Sequence, residues 1–285
     1  MSSVHDKVCV VTGAGSGIGR ELALELARRG AHAVAISDVD DHGLGETARL
    51  LAEQAPMLTV HSRQLDVSDR QAFIGYAAEV AAALGVVHQL YNNAGIASGK
   101  SVSDANFEIY DRVIAVNLFG VIHGTKAFLP HLIASGDGHL TNISSLNGFM
   151  AQDGLSAYCA SKFAVRGFTE SLRLEMLRDA LPVRVSVVHP GGVKTNIASA
   201  GLQHAAELGY EVSDSERRRV QAYNEKLLRM PAAEAARIIV TGVERDRARI
   251  LVGNDARVID LLVRIFPTAY GRLLLGVNRL ARLAR

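Results

Sequence analysis

A tyrosine and a lysine stand four residues apart in Tyr158-Cys159-Ala160-Ser161-Lys162. On a helix, side chains at i and i+4 share a face. A lysine ammonium beside a phenol favours the phenolate and lowers the tyrosine pKa from its ordinary value of about 10. A weak acid then becomes a usable general acid–base. Ser145 lies thirteen residues before Tyr158, at the end of Asn142-Ile143-Ser144-Ser145, with Ser144 as its competitor. Chance produces Tyr-x-x-x-Lys freely, so its meaning depends on what surrounds it.

Residues 10–20 read VVTGAGSGIGR, with Gly13, Gly15, Gly17 and Gly19 inside seven positions. A G-x-G-x-x-G pattern counted from Gly13 fails, because its third glycine would be Ile18. The spacing that fits is T-G-x-x-x-G-x-G, through Thr12, Gly13, Gly17 and Gly19. The apolar Val8–Val11 precedes the loop and the helical-looking ELALELARRG follows it. Glycines let the chain turn sharply and approach a pyrophosphate without a Cβ in the way. The following helix points its free N–H groups and positive dipole end at phosphate, past Ser16. A tight strand–helix turn alone would use the same residues. Asp38, at the end of the second strand, lies 19 residues after Gly19. An acid there accepts hydrogen bonds from the adenosine ribose hydroxyls and repels a 2′-phosphate, so NAD is expected over NADP. Arg20 is a nearby cation inside the first helix. The other reading of Asp38 is an exposed loop acid beside Asp40 and Asp41. Asp66 and Val67 follow the third strand, and Asn92-Asn93-Ala94-Gly95 follow the fourth. Ligands of open parallel sheets bind beyond the carboxyl ends of strands, where all these residues fall.

These residues need a scaffold, and the apolar periodicity supplies one. Strands are expected at 7–12, 32–37, 58–64, 88–92, 138–144, 183–189 and 248–252, with helices near 18–30, 43–54, 69–84, 104–134, 157–180 and 231–245. The alternation implies a Rossmann-type α/β fold: a doubly wound sheet of about seven parallel strands with helices on both faces. Ser68-x-x-Gln71 reads as a capping box for the third helix, and Gly30 as the close of the first. Residues 1–256 are expected to form a single domain. Its long insertion at about 193–230 reads as a substrate lid or a surface excursion.

The chain resembles the short-chain dehydrogenase/reductase family, of the compact, non-extended type. The resemblance rests on TGAGSGIG (12–19), Asp66, NNAG (92–95), Asn117 in VNLFG, Ser145, Tyr158, Lys162 and HPGGVKT (189–195). It implies that Tyr158 transfers the substrate hydroxyl proton and that Ser145 hydrogen-bonds the substrate oxygen. It also settles Ser145 over Ser144 by the thirteen-residue spacing. Lys162 would hold the nicotinamide ribose and lower the tyrosine pKa. Asn117, otherwise readable as a helix-bending polar residue, would anchor a water linking Lys162 to solvent. Asn93, with Ala94 and Gly95, would support the adenosine and ribose site. Pro190, Gly191, Val193 and Thr195 would pass beside the carboxamide. The implied activity is hydride transfer between NAD and a secondary alcohol or ketone.

The totals narrow the remaining possibilities. The chain has 285 residues, 48% hydrophobic and 21% charged, with net charge +2, too small to argue for nucleic acid. Two cysteines, Cys9 and Cys159, make no disulfide framework and fit a reducing, cytoplasmic setting. Cys159 reads as a packed small residue rather than a nucleophile. No signal peptide is read at the N-terminus, and no uninterrupted run reaches the ~18 apolar residues of a membrane span. Ten histidines without H-x-x-x-H spacing or Cys/His clusters give no metal site.

Residues 257–285 depart from the family layout. They carry six arginines and one acid, net +5 against +2 for the whole chain, so the rest carries −3. Two amphipathic segments flank Pro267 and Gly271. They could pack on the body or a partner subunit, cover the cleft, or lie on an anionic membrane as a peripheral contact. Small and apolar lid residues (Ile197, Ala198, Ala200, Leu202, Ala205, Ala206, Leu208, with Tyr210 nearby) join Leu146, Phe149 and Met150 in suggesting an apolar pocket. A lipophilic alcohol or ketone is the expected substrate. The helices 104–134 and 157–180 suggest a homodimer or homotetramer by family analogy. The competing class is a membrane-associated nucleotide-binding protein with little turnover.

Overall fold

The computed structural model describes residues 2–275 apart from 208, 211, 227 and 274. Its strands are β1 (Val8–Thr12), β2 (Ala33–Asp38), β3 (Thr59–Gln64), β4 (Gln89–Asn92), β5 (Gly138–Ile143), β6 (Val183–Pro190) and β7 (Arg249–Val252). They form one parallel seven-stranded sheet in the order β3-β2-β1-β4-β5-β6-β7. This is the expected doubly wound Rossmann arrangement. The strand order reverses between β1 and β4, which makes the crevice beyond their carboxyl ends the natural ligand site. β1 and β5 are buried throughout, as strands covered on both faces must be. The edge strand β3 reads Thr-Val-His-Ser-Arg-Gln and is mostly exposed, a polar rim that discourages further pairing.

The helices are α1 (Gly17–Arg28), α2 (Asp41–Gln54), α3 (Arg70–Leu84), α4 (Phe107–Ile114), α5 (Gly120–Ala134), α6 (Ser156–Arg178), α7 (Ile197–Glu207), α8 (Asp214–Lys226), α9 (Ala232–Glu244) and α10 (Asn254–Ile265). Leu22, Leu26, Leu44, Ile239 and Val240 of α1, α2 and α9 pack on one face of the sheet. Phe73, Tyr76, Phe128, Leu132 and Leu172 of α3, α5 and α6 pack on the other. Gly30, at φ +79°, lets the chain leave α1: its N–H donates to Ala27 and that of Ala31 donates to Leu26.

Three expectations need correction. The helix start at Ser68 moves by one residue. Asp69 is the cap, its carboxylate accepting from the N–H groups of Gln71 (2.9 Å) and Ala72 (3.0 Å). A carboxylate suits the positive end of a helix better than a hydroxyl, and the Ser68 hydroxyl donates to Asp66 instead, at 2.6 Å. The helix expected over 104–134 begins at Phe107, capped by Asn106, and passes through a π turn at Ala115–Phe119. The expected boundary at 256/257 falls inside α10, which packs on β7 and buries Ala256.

The insertion forms α7 and α8. The run Phe107–Ala134 is long and apolar enough to cross a membrane, but half of its most apolar window is buried inside the fold. It is a core helix that carries Asn117.

Candidate active site

The glycine loop is shaped by contacts that exclude side chains. A Cβ on Gly19 would lie 1.9 Å from the Gly13 carbonyl oxygen. One on Gly13, whose φ is +66°, would lie 2.7 Å from the Ala94 Cα. Asn93 pins this loop to the end of β4: its Nδ2 donates to the carbonyls of Thr12 (3.0 Å) and Gly13 (3.1 Å). The N–H groups of Asn93 and Ala94 donate to the Thr12 hydroxyl at 3.0 and 3.2 Å. α1 then opens with no side-chain cap from Ser16 and no acid in its first turn. Its first N–H groups and positive dipole end are open to an anion, whereas α3 and α4 are capped by Asp69 and Asn106. Ile18 packs on the core below, and Thr195 Cγ2 comes within 3.2 Å of where a Gly17 Cβ would sit. A dinucleotide fits this bare, electropositive turn.

Asp38 and Arg20 lie on either side of the loop at Gly15. Asp38 Oδ2 accepts from the Gly15 N–H at 2.8 Å, and Oδ1 from the Asp40 N–H at 3.0 Å. These bonds hold its carboxylate at the loop rather than loose in solvent. The Arg20 guanidinium turns under the loop, donating to the Thr47 hydroxyl (3.0 Å) and to the carbonyls of Gly43 (3.2 Å) and Gly15.

Farther along the carboxyl edge, Asp66 accepts from Ser68 and pairs with Arg112 at 3.0 Å. Burial alone would raise the Asp66 carboxyl, but the Ser68 bonds and Arg112 hold it below its ordinary value. Val67 is buried against Gly120, and its carbonyl accepts from His123 at 3.1 Å.

α6 and β5 assemble the acid–base group. Lys162 is buried, and its Nζ donates to the Ile143 carbonyl at 3.0 Å. Burial lowers its ammonium from 10.5 to about 8. The same Nζ lies 5.7 Å from the centre of the half-buried Tyr158 ring. Asn117, in the π turn, accepts from the Ile96 N–H (2.8 Å) and donates to the Ile96 carbonyl (2.9 Å) and the Ser161 hydroxyl (3.0 Å). Ser161 donates on to the Tyr158 carbonyl at 2.7 Å. A Cβ on Gly95 would sit 3.2 Å from Asn117 Oδ1 and 3.3 Å from Lys162 Nζ, so amide and ammonium converge on a bare backbone. A π turn is a frequent device at functional sites, since it re-aims one side chain. Here that side chain is Asn117.

The two serines part company. The Ser144 hydroxyl is buried and donates to the Lys162 carbonyl at 2.8 Å, which ties β5 to α6. The Ser145 Oγ accepts from the Asn147 N–H at 3.1 Å and keeps its own proton to donate. His189 braces Ser145 from behind, its Nδ1–H donating to the Ser145 carbonyl at 2.7 Å. Burial lowers the His189 imidazole to about 4. Burial also raises the Cys159 thiol, as befits a packed residue.

At the end of β6, Pro190 closes the strand and Val193 is buried, bridging to Met230. Gly191 leaves room for Asp255: a Cβ there would lie 2.3 Å from its carboxylate, which accepts from the Gly192 N–H at 2.6 Å. Asp255, on α10, was not anticipated, because a contact across 63 residues leaves no local signal.

The lid is anchored from the connection after β4. Lys100 pairs with Glu216 at 2.6 Å, and the Tyr210 hydroxyl accepts from the Asn106 N–H at 2.7 Å. A groove of about 610 Å³ opens between α7 and α8, lined by Leu202, Ala206, Val212 and Val220 together with Arg217. It lies within the lid and includes neither Ser145 nor Tyr158. Phe149 is placed next to the groups that brace Ser145. It is buried, edge-on to His189 at 5.1 Å and beneath the Arg249 guanidinium at 5.1 Å. Leu208 lies outside the described residues, as do 274 and 276–285, most of the second amphipathic segment. Among the described residues, no group of three His, Cys, Asp or Glu side chains is placed to hold a metal ion.

Residues 7–205 match the short chain dehydrogenase family. SadH of Mycobacterium tuberculosis, named as an oxidoreductase, is 49% identical over 275 residues, covering 96% of this chain and 95% of that protein. Epidermal retinol dehydrogenase 2 of Mus musculus is 39% identical over 196 residues, covering 68% of this chain and 63% of its own length. A short-chain dehydrogenase/reductase from Burkholderia phymatum, solved in complex with NAD, is similar with a TM-score of 0.86 at 27% identity, covering 96% of this chain and 97% of that one. An alcohol dehydrogenase of the archaeon Thermococcus sibiricus, solved with 5-hydroxy-NADP, has a TM-score of 0.70 at 25% identity, covering 87% and 94%.

Proposed function

The chain belongs to the short-chain dehydrogenase family of oxidoreductases, and from that premise we propose that it is an NAD-dependent dehydrogenase of lipophilic secondary alcohols, or the reductase of the matching ketones. The observation that carries this reading is the buried Lys162 ammonium 5.7 Å from the Tyr158 ring. Burying an ammonium with one carbonyl partner costs free energy. Its placement is rational where it stabilises negative charge on a phenol oxygen as a proton leaves.

A nicotinamide bound by these residues would supply the hydride acceptor. The chain's own residues would do the rest. Ser145 donates to the substrate oxygen and orients the carbinol carbon, and Tyr158 takes or returns the hydroxyl proton. Asn117 and Ser161 hold the Tyr158 turn of α6 against the Ile96 backbone. Gly13, Gly17 and Gly19 cradle the pyrophosphate at the mouth of α1. Asp66 and Val67 flank the adenine, while Pro190, Gly191, Val193 and Thr195 flank the carboxamide.

The preference for NAD rests on charge. Asp38 faces the ribose position, and Arg20 is engaged by three acceptors beneath the loop. A 2′-phosphate would therefore meet a carboxylate and no free guanidinium. The lipophilic substrate rests on the apolar lid residues and on the retinol dehydrogenase relative. The half-exposed Phe163, Leu174 and Leu177 of α6 and Phe119 support pairing of subunits into a homodimer or homotetramer.

The test is formation of reduced nicotinamide from NAD and from NADP with lipophilic and small polar secondary alcohols. NAD and the lipophilic set should give turnover. Asp38→Ser should shift the preference toward NADP by about tenfold or more, one lost charge repulsion. A wild-type preference for NADP, or for small polyols, overturns the corresponding half of the proposal.

A further inference from the structure

α10 buries one side and leaves the other open. Ala256 is buried where α10 meets the body, while Val258, Leu261 and Ile265 are 65%, 59% and 58% exposed. Phe266, Leu273 and Leu275 continue this exposed apolar surface past the helix. Spacing of three and four residues puts the first three in one stripe. A contiguous run of large apolar side chains in water marks an interaction site.

Charge decides what covers it. Residues 257–285 carry six arginines and one acid, a net +5. That acid, Asp260, is engaged by Arg249 at 2.5 Å and Arg264 at 3.0 Å. Joining the stripes of two copies would bring two such cationic segments together, which like-charge repulsion opposes. An anionic headgroup layer supplies the opposite sign. It accepts apolar side chains at its acyl boundary and guanidinium groups at its surface.

The position of the stripe adds a functional sense. α10 leaves the carboxyl end of β7 and packs on the turn Leu146–Gly148 that follows Ser145. Beyond it, the Tyr270 hydroxyl accepts from the Ala151 N–H at 3.0 Å, in the connection between Ser145 and Tyr158. The element that carries the stripe is therefore joined to the loops that follow Ser145.

We propose that the apolar stripe of α10, with Arg257 and Arg272 beside it, docks the protein peripherally on an anionic bilayer, with the cleft beside the lipid surface. Docking goes beyond the catalytic reading, and a binding assay without turnover tests it even if that reading fails.

The experiment is co-sedimentation of the full chain with phosphatidylcholine vesicles, with and without phosphatidylglycerol. The protein should pellet with the anionic vesicles, remain soluble with phosphatidylcholine alone, and be released by added salt. Leu261→Asp with Ile265→Asp should weaken vesicle binding by about tenfold or more. It should leave turnover of a water-soluble alcohol and the melting temperature unchanged. Arg257→Gln with Arg272→Gln, which leaves the stripe intact and lowers the segment's net charge from +5 to +3, should weaken the preference for phosphatidylglycerol. Equal pelleting of wild type and both variants overturns the proposal. So does wild-type protein that ignores both vesicles, and dimerisation lost in the aspartate variant would then assign the stripe to a second copy.

Discussion

Lys162 lies against the Ile143 carbonyl and is 3% exposed, whereas Lys100 meets Glu216 with side chains 14% and 21% exposed. The first lysine belongs to the floor of the site, the second to the hinge between floor and lid. On the floor, polar groups have buried or half-buried partners far along the chain: Asn93 with Thr12 and Gly13, Asn117 with Ile96, Ser144 with Lys162. Removing one leaves another unpaired in a water-poor setting. The lid meets the body through partly exposed contacts such as Lys100 with Glu216 and the Tyr210 hydroxyl with the Asn106 N–H. The floor can therefore fix the geometry of a reaction, while the lid can adapt to what enters.

Substitutions should separate the two regions sharply. Lys162→Met should lower turnover by about 10³-fold and still make the apo protein more stable at pH 7. With its ammonium at about 8 against an ordinary 10.5, the folded chain releases this proton before the unfolded chain does. The unfolded state binds more protons between those values, so stability rises with pH across that window. Below it, the buried charge costs about 3 kcal/mol. Urea unfolding checks this, and a less stable methionine variant would refute the cost of burial.

Acid should also loosen the floor before the lid. Burial holds both His139 and His189 at about 4, against an ordinary 6.5. The unfolded chain takes up these protons first, so stability falls as pH drops from 6.5 toward 4, by up to about 3 kcal/mol for each histidine. The Lys100 ammonium, with the Ser213 amide and hydroxyl, holds Glu216 at about 2, against an ordinary 4.5. Its contribution is complete above 4.5 and is lost only as pH falls toward 2. Amide exchange at pH 5 should show the strands opening more readily while α8 is little changed. The reverse order would break the contrast.

Smaller effects belong to single contacts. Gly19→Ala places a Cβ against the Gly13 carbonyl and should weaken NADH binding by about 100-fold, or ~3 kcal/mol. Gly45→Ala is its control: it lies in α2 with nothing within 4 Å of its Cβ, and should gain about 1 kcal/mol of stability without changing NADH affinity. Fluorescence titration and thermal melts distinguish them. Smallest of all, Glu216→Gln should raise KM for a lipophilic alcohol about threefold with kcat nearly unchanged. A fall in kcat alone would make the lid part of the chemistry.

The floor was legible because backbone geometry dictates residue type there. Gly13 and Gly19 admit no Cβ, and Tyr158 and Lys162 must share one face of a helix. The lid was less legible. Its composition marked an insertion, but the two helices and their inward faces depend on distant partners such as Lys100, 116 residues from Glu216. The π turn is invisible in VNLFG, since the apolar period continues through it. The surroundings of Phe149 were illegible for a related reason: its neighbours His189 and Arg249 come from β6 and β7, far along the chain. The tail was read three ways, and its first segment packs on the body while Tyr270 touches the loop beside the cleft.

The central claim is that Tyr158 on the floor takes or returns the substrate hydroxyl proton while the hydride passes between the carbinol carbon and a bound nicotinamide. Its most direct test measures NADH formation and NADH affinity side by side in wild type and Tyr158→Phe. The account predicts turnover reduced by about 10³-fold or more with affinity unchanged within about twofold. Turnover that survives the loss of this one hydroxyl would contradict it.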